Sequence, residues 1–420
     1  MDRRQFIKTS SACGLLLVKP STAFSYQANS AVRLGLLGCG NRGTAVSTSF
    51  SFSTTAQVVA LADLFPDKLA LGRTHFEEVN AKLFRSPIDS KMLFHGPHAF
   101  EQLIASKDVD LIQISTPPFF HVQHLEAAVA SGKHVYCEKP VGVDVVQAKK
   151  ALEIGKRVKP TQSVDVGFQC RSAIPLAAIA EKVKAGALGK MGSVRGNYNS
   201  LSSEEKVHPG AGPDEYRLRN WLWYRALSGD ILVEQNIHII DLCNWILGAH
   251  PIKASASGGR NILTHAGDCW DNYQVDFTYP GDIHFAFSST QYGNGAFSAG
   301  LTFYGEKGSA TVPYAGPVEI VGSEPWLWKD STTVSAAPAK FAADGSFEDN
   351  LASADREKER TFIDSITTGE SHNQIASGVE TALSCMLGRM AGYTRHEVTW
   401  DQLLAHGETY KLGMDLQQFA

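Results

Sequence analysis

The 420-residue sequence carries 39 Lys and Arg against 43 Asp and Glu, a formal net charge of −4, with 43% hydrophobic and 20% charged residues. This slightly acidic balance has no basic block and excludes a nucleic-acid binder, and no stretch has the length and apolarity of a membrane-spanning helix. The length suffices for two domains with substantial cores.

The first residues stand apart. Arg3 and Arg4, followed by Phe6 and Lys8, resemble the twin-arginine export motif, with a short apolar run at 12–18 and a Ser/Ala-rich stretch to about residue 31. The expectation is a signal peptide over 1–30 and a periplasmic protein exported already folded. The alternative is a flexible basic tail on a cytoplasmic protein. The seven cysteines (Cys13, Cys39, Cys137, Cys170, Cys243, Cys269 and Cys385) form no C-x-x-C pair, so they read as structural thiols.

Residues 32–37 are short and apolar, as a strand buried on both faces should be. They run into Gly38, Gly40 and Gly43, with Asn41 and Arg42 inside the loop. Gly38 allows a tight turn, Gly40 lets the backbone approach a pyrophosphate, and Gly43 lets the next helix pack closely. A second strand at 58–63 ends on Asp63, where a carboxylate meets ribose hydroxyls and repels a 2′-phosphate, which favours NAD over NADP.

Strands and helices then alternate. A buried strand at 110–116 is closed by Pro117 and Pro118; a helix at 120–131 stops at Gly132; a strand at 134–137, a helix at 145–158 and a strand at 164–169 follow. This βα order predicts a doubly wound parallel sheet over residues 31–170. From about 171 the pattern changes to a helix at 174–185 and longer alternating strands at 273–279, 283–289 and 299–304, read as antiparallel neighbours. Residues 171–420 are therefore expected to form an α+β substrate-binding domain with a large open antiparallel sheet. Its open face should seek a partner, which implies a homo-oligomer. A polar stretch at 329–350 reads as loop, and helices from 355 to about 393 should pack back on the body.

Two groups of residues carry chemistry. Glu138-Lys139-Pro140 follows a strand at the carboxyl edge of the parallel sheet, where ligands bind in open α/β folds. A lysine there exchanges a proton with a substrate hydroxyl once burial or neighbouring charge tunes it; a solvated turn lysine is the plain alternative. In the segment 229–241, helical spacing puts Glu234, His238 and Asp241 on one face. That face suits a carboxylate-oriented general base, a metal site or a hydrogen-bonded core histidine. Trp221, Arg225 and their aromatic neighbours suit either a sugar face or an ordinary domain seam.

With Ser115-Thr116-Pro117, these motifs resemble, in order and spacing, the Gfo/Idh/MocA oxidoreductases over about residues 32–400. The resemblance implies a Rossmann domain and an open-sheet domain. It also implies cofactor contacts from the glycine loop, Asp63, Ser115, Thr116, Pro117, Glu138 and Lys139, with no metal. Lys139 and His238 would serve proton transfer, and Gln169, Arg171 and Tyr198 fall where relatives line the substrate pocket. The family's usual aspartate four residues before the histidine is Glu234 here, and the usual glycine two before it is Asn236.

The activity so implied is hydride transfer between a sugar, polyol or glycoside hydroxyl carbon and tightly bound NAD. Because the periplasm has no nicotinamide pool, the bound nucleotide would be recycled in place. The second expectation is an NAD-dependent glycoside hydrolase, which oxidises its substrate transiently, eliminates the aglycone and returns the hydride.

Overall fold

A computed structural model describes residues 31–201, 205–292, 297–329 and 349–420; the export motif lies outside them, as does most of the 329–350 loop. The first half alternates β1 (Arg33–Leu37), α1 (Asn41–Ser53), β2 (Gln57–Asp63), α2 (Pro66–Lys82), β3 (Leu93–His95), α3 (Ala99–Ala105), β4 (Leu111–Ile114), α4 (His121–Ser131), β5 (His134–Cys137), α5 (Val145–Gly155) and β6 (Val164–Val166). Every neighbouring pair is parallel, in the order β3-β2-β1-β4-β5-β6. The order reverses between β1 and β4, which opens a crevice beyond their carboxyl ends. Leu34, Leu36, Leu111, Ile112 and Ile114 are inaccessible to solvent because helices cover both faces of the sheet. This is the expected doubly wound Rossmann architecture.

The chain continues through α6 (Ile174–Lys184), β7 (Met191–Asn199), α7 (Pro213–Arg219), α8 (Arg225–Ser228), α9 (Ile231–Glu234) and α10 (Ile237–Leu247). Then come β8 (Lys253–Gly259), β9 (Asn272–Tyr279), β10 (Ile283–Thr290), β11 (Ser298–Gly305), β12 (Gly308–Pro313), β13 (Glu319–Gly322) and β14 (Trp326–Leu327). Helices α11 (Ala354–Thr368) and α12 (Ile375–Thr394), strand β15 (Val398–Thr399) and helix α13 (Trp400–His406) follow. Among the described residues the second sheet has the order β14-β13-β12-β11-β7-β10-β9-β8-β15.

This sheet corrects the expectation of a purely antiparallel one. Strand β7 pairs parallel with β10 and antiparallel with β11, so it separates two strands expected to be neighbours. A sheet with one open face shows the same in–out alternation whichever way its strands run, so periodicity could not reveal the insertion. On the inner face Tyr273, Val275, Phe277, Phe285 and Phe287 are buried, and α12 packs there with α10. The outer face, with Arg195, Gln274, Asp276 and Thr302, forms an open basin of about 690 Å³.

Candidate active site

The glycine loop packs as its spacing demands. Gly38 has φ +96°, and a Cβ there would lie 2.6 Å from the Ser115 carbonyl oxygen. A Cβ on Gly43 would lie 2.1 Å from the Gly38 carbonyl oxygen, so α1 can approach β1 this closely only with glycine. A Cβ on Gly40 would meet no atom within 4 Å, which leaves open space above the backbone. Helix α1 starts without a side-chain cap, so among the described residues no capping side chain takes its first N–H donors.

That space belongs to a cavity of about 330 Å³ at the switch point between β1 and β4. Gly38, Gly40, Asn41 and Asp63 line one side, and Ser115, Thr116 and Pro117 another. The Asp63 carboxylate accepts the Cys39 N–H at 2.7 Å and the Phe65 N–H at 2.9 Å. Burial pushes this carboxyl up, against those two donors and the nearby Lys68. The cavity, the bare helix terminus and the acid at the end of β2 together fit a dinucleotide.

Two of the expected cofactor residues face elsewhere. The Arg42 guanidinium lies 3.0 Å from Glu138 Oε1 and makes a bidentate pair with Asp355 at 2.8 and 2.9 Å. Glu138 is nearly buried, and Gly167 gives it room, since a Cβ there would lie 2.4 Å from Glu138 Oε2. These ties join the glycine loop, the Glu-Lys-Pro turn and α11. The Lys139–Pro140 peptide is cis.

Lys139 Nζ donates to the Glu234 carboxylate at 2.6 Å and to the Glu234 carbonyl at 2.7 Å, with both side chains about a tenth exposed. Glu234 ends the short helix α9, and α10 begins only at Ile237. The single helix face expected for Glu234, His238 and Asp241 is thus broken at Gln235 and Asn236. Buried Gln235 accepts from Ser200 and Gln291 at the ends of β7 and β10, an anchoring that helical spacing cannot show.

His238 is buried, and its Nδ1 has no partner among the described residues. Burial first, then the Lys139 and Arg42 charges, hold this imidazole well below the ordinary histidine range, so it is neutral at pH 7. Tyr198 is buried close enough for the Glu234 charge to add to burial in raising its phenol. Gln169 is buried just after β6.

Other expected substrate contacts are satisfied within the protein. Asp241 is fully buried, accepts from Arg171 Nε at 2.8 Å and Nη2 at 2.5 Å, and also accepts from the Thr381 hydroxyl at 2.9 Å. Arg225 lies over the Tyr393 ring at 4.4 Å, and Trp221 lines the dinucleotide cavity.

Sequence reasoning missed three supports of the site. The His121 ring nitrogens lie 2.7 and 2.9 Å from the Thr116 and Pro140 carbonyl oxygens, so the ring sits between the two motif loops and its N–H donates to one of them. Gln113 donates to the Gly43 carbonyl at 3.0 Å and to Ser115 Oγ at 3.1 Å. Asp230, at φ +78°, accepts from the Tyr273 and Tyr393 hydroxyls at 3.0 and 2.6 Å and so fixes the turn into α9. Its position after Gly229 and before the apolar Ile231, Leu232 and Val233 is that of a helix N-cap, which is the available signal.

Comparison with known proteins agrees with this geometry. Residues 32–166 match the profile of the oxidoreductase family with an NAD-binding Rossmann fold, and residues 176–311 match the GFO/IDH/MocA C-terminal domain. An inositol 2-dehydrogenase of Rhizobium meliloti is 25% identical over 292 residues, which is 69% of this chain and 78% of that protein. A glycosyl hydrolase family 109 protein of Solibacter usitatus is 33% identical over 148 residues, a third of each chain. The fold is shared with a levoglucosan dehydrogenase solved with NADH and levoglucosan, at a TM-score of 0.68 and 19% identity over 89% of this chain and all of that one. The chain belongs to the Gfo/Idh/MocA family of oxidoreductases, with an NAD-binding Rossmann domain.

Proposed function

We propose that the protein transfers a hydride between a hydroxyl carbon of a sugar or polyol and tightly held NAD, and that it works in the periplasm after twin-arginine export. The observation that carries this reading is the position of Lys139. It follows the carboxyl end of β5, one strand along from the switch point, and is held by Glu234 of the second domain. The inositol and levoglucosan dehydrogenases among the relatives support a polyhydroxylated substrate.

Bound NAD supplies the hydride acceptor. Asp63 would receive the ribose hydroxyls and disfavour a 2′-phosphate, and the first turn of α1 would take the pyrophosphate. In the oxidation direction the Lys139 amine takes the hydroxyl proton, and Glu234 holds the ammonium so formed. Neutral His238 offers Nδ1 as an acceptor for a second hydroxyl or as the relay for that proton. Gln169 and Tyr198 contact the sugar, and Arg171 with Asp241 braces that wall. Residues 1–30 are the signal, 31–170 the cofactor domain and 171–420 the substrate and oligomerisation domain, whose open sheet face pairs subunits.

The family 109 likeness favours a second reading, in which oxidation is transient and an aglycone leaves. Incubating the purified protein, without added cofactor, with free sugars and aryl glycosides separates the two by mass spectrometry. A product lacking two hydrogens with reduced nucleotide on the protein establishes the dehydrogenase; free aglycone without net reduction establishes the hydrolase. Export is tested by Arg3→Lys with Arg4→Lys, which should leave the protein in the cytoplasm.

A further inference from the structure

The dinucleotide cavity is not closed by the Rossmann domain alone. Lys206, Val207, His208, Leu218, Arg219 and Leu416 line it from outside that domain. Of these, Leu416 comes from a segment that runs back over the first sheet after α13. In residues 411–420 the apolar side chains Leu412, Met414, Leu416 and Phe419 are half-buried, while their polar neighbours face solvent.

The course of this segment is fixed by contacts at both ends. Near its start, the Val146 N–H donates to the Glu408 carbonyl at 3.1 Å, and the Tyr410 N–H donates to Asp144 at 2.7 Å. Further on, Arg217 donates to the Leu412 carbonyl at 3.4 Å and Gln418 to Asp214 at 3.0 Å, both against α7. Gln417 meets His98 at 3.1 Å, and the Phe419 ring packs edge-on against Phe65 at 5.5 Å.

Phe65 connects these contacts to the nucleotide. It lies two residues after Asp63, donates its N–H to that carboxylate, and lines the cavity. Its ring is held by Phe419 and by the Arg219 guanidinium, 4.1 Å from the ring centroid; Arg219 is itself fixed by Asp67 at 2.8 and 3.0 Å. The adenosine end of the cavity therefore has a second wall, made of α7 and residues 412–419.

We infer that residues 412–419, through Leu416 and Phe419, form part of the adenosine-binding site and hold the dinucleotide in place between turnovers. The inference rests on the proposed NAD-retaining function. Leu416 and Phe65 touch a ligand only once it is bound at Asp63, so losing this wall speeds release more than it slows capture. It explains how a cofactor could stay resident with an otherwise ordinary glycine loop.

The test is full-length protein against a variant lacking residues 412–420, which keeps Glu408 and Tyr410 and their contacts. The readouts are nucleotide content after purification and the rate of NADH release in a fluorescence chase. The expected result is loss of co-purified nucleotide and release faster by about tenfold or more, the ratio equivalent to 1.4 kcal/mol. Leu416→Ser with Phe419→Ala should reproduce the effect if the deletion variant does not fold. Unchanged content and release in the double variant would overturn the inference alone. Full-length protein that neither carries nor takes up a dinucleotide would overturn the NAD reading and this inference with it.

Discussion

Arg42 Nε lies 3.0 Å from Glu138 Oε1, so the glycine loop and the Glu-Lys-Pro turn are tied by a charge pair separated by 96 residues. The Arg42 side chain is about a fifth exposed and that of Glu138 only 6%. Removing the cation leaves the nearly buried Glu138 carboxylate without its charged partner. Arg42→Ala should therefore cost about 3 kcal/mol of folding stability, read as a lower denaturant midpoint. Arg42→Lys should recover only part, because an ammonium cannot serve Glu138 and both Asp355 oxygens at once. If Arg42→Ala loses nucleotide but keeps its midpoint, Arg42 serves the cofactor and this structural role is wrong.

The Lys139–Glu234 pair makes a separate prediction. Lys139→Ala should lower turnover by roughly 10²–10⁴-fold while bound nucleotide is retained. Glu234→Gln keeps an acceptor for the lysine and should lose less. His238→Ala removes the buried acceptor and should also lower turnover. Single-turnover reduction of bound NAD by substrate is the direct measurement, and an unchanged rate in any variant removes that residue from the mechanism.

The legible parts of the sequence were those in which one residue type is dictated by a short-range approach. Gly38, Gly40 and Gly43 each answer to a contact or a space within a few ångströms of the loop, and buried parallel strands read as apolar runs. The rest depended on distant partners. Asp241 looked like a pocket acid because its Arg171 and Thr381 partners lie 70 and 140 residues away. The break at Gln235 was hidden because its anchors, Ser200 and Gln291, come from two other strands. His121 and His124 read as ordinary helix residues until the Thr116 loop was placed against them. The alternation of Leu412, Met414 and Leu416 marks one half-buried side of the segment after α13, but no motif announces its place beside Phe65.

Asp63 tests the cofactor preference. Its carboxylate has two backbone donors and still faces the cavity. Asp63→Ser should weaken NAD binding by roughly 10–100-fold, the loss of one or two charge-assisted hydrogen bonds. It should also narrow the gap between NAD and NADP, since the repulsion toward a 2′-phosphate goes with the charge. Titration of nucleotide-stripped protein with each cofactor measures both. Equal NAD affinity in variant and parent would contradict the ribose assignment.

His124 gives a pH dependence whose sign follows from its burial. The ring is packed against Phe100 and Phe120, with Nδ1 3.1 Å from the Thr116 hydroxyl. Burial first, and the His121 charge second, push it down to about 3. In the unfolded chain it titrates near the ordinary 6.5, so between these values the unfolded state binds the extra proton. The stability contribution is therefore fully present above pH 6.5 and lost as the pH falls toward 3, at about 1.4 kcal/mol per unit. At pH 5 the folded protein should have lost about 2 kcal/mol through this residue alone. His121 and His238, whose pKa values also lie below the ordinary range, act in the same direction. His124→Gln cannot take up that proton in either state, so its urea midpoint should fall less between pH 7 and pH 5 than the parent's. Parallel losses in the two proteins would mean that His124 takes up its proton as readily in the fold as in the unfolded chain, which its apolar surroundings argue against.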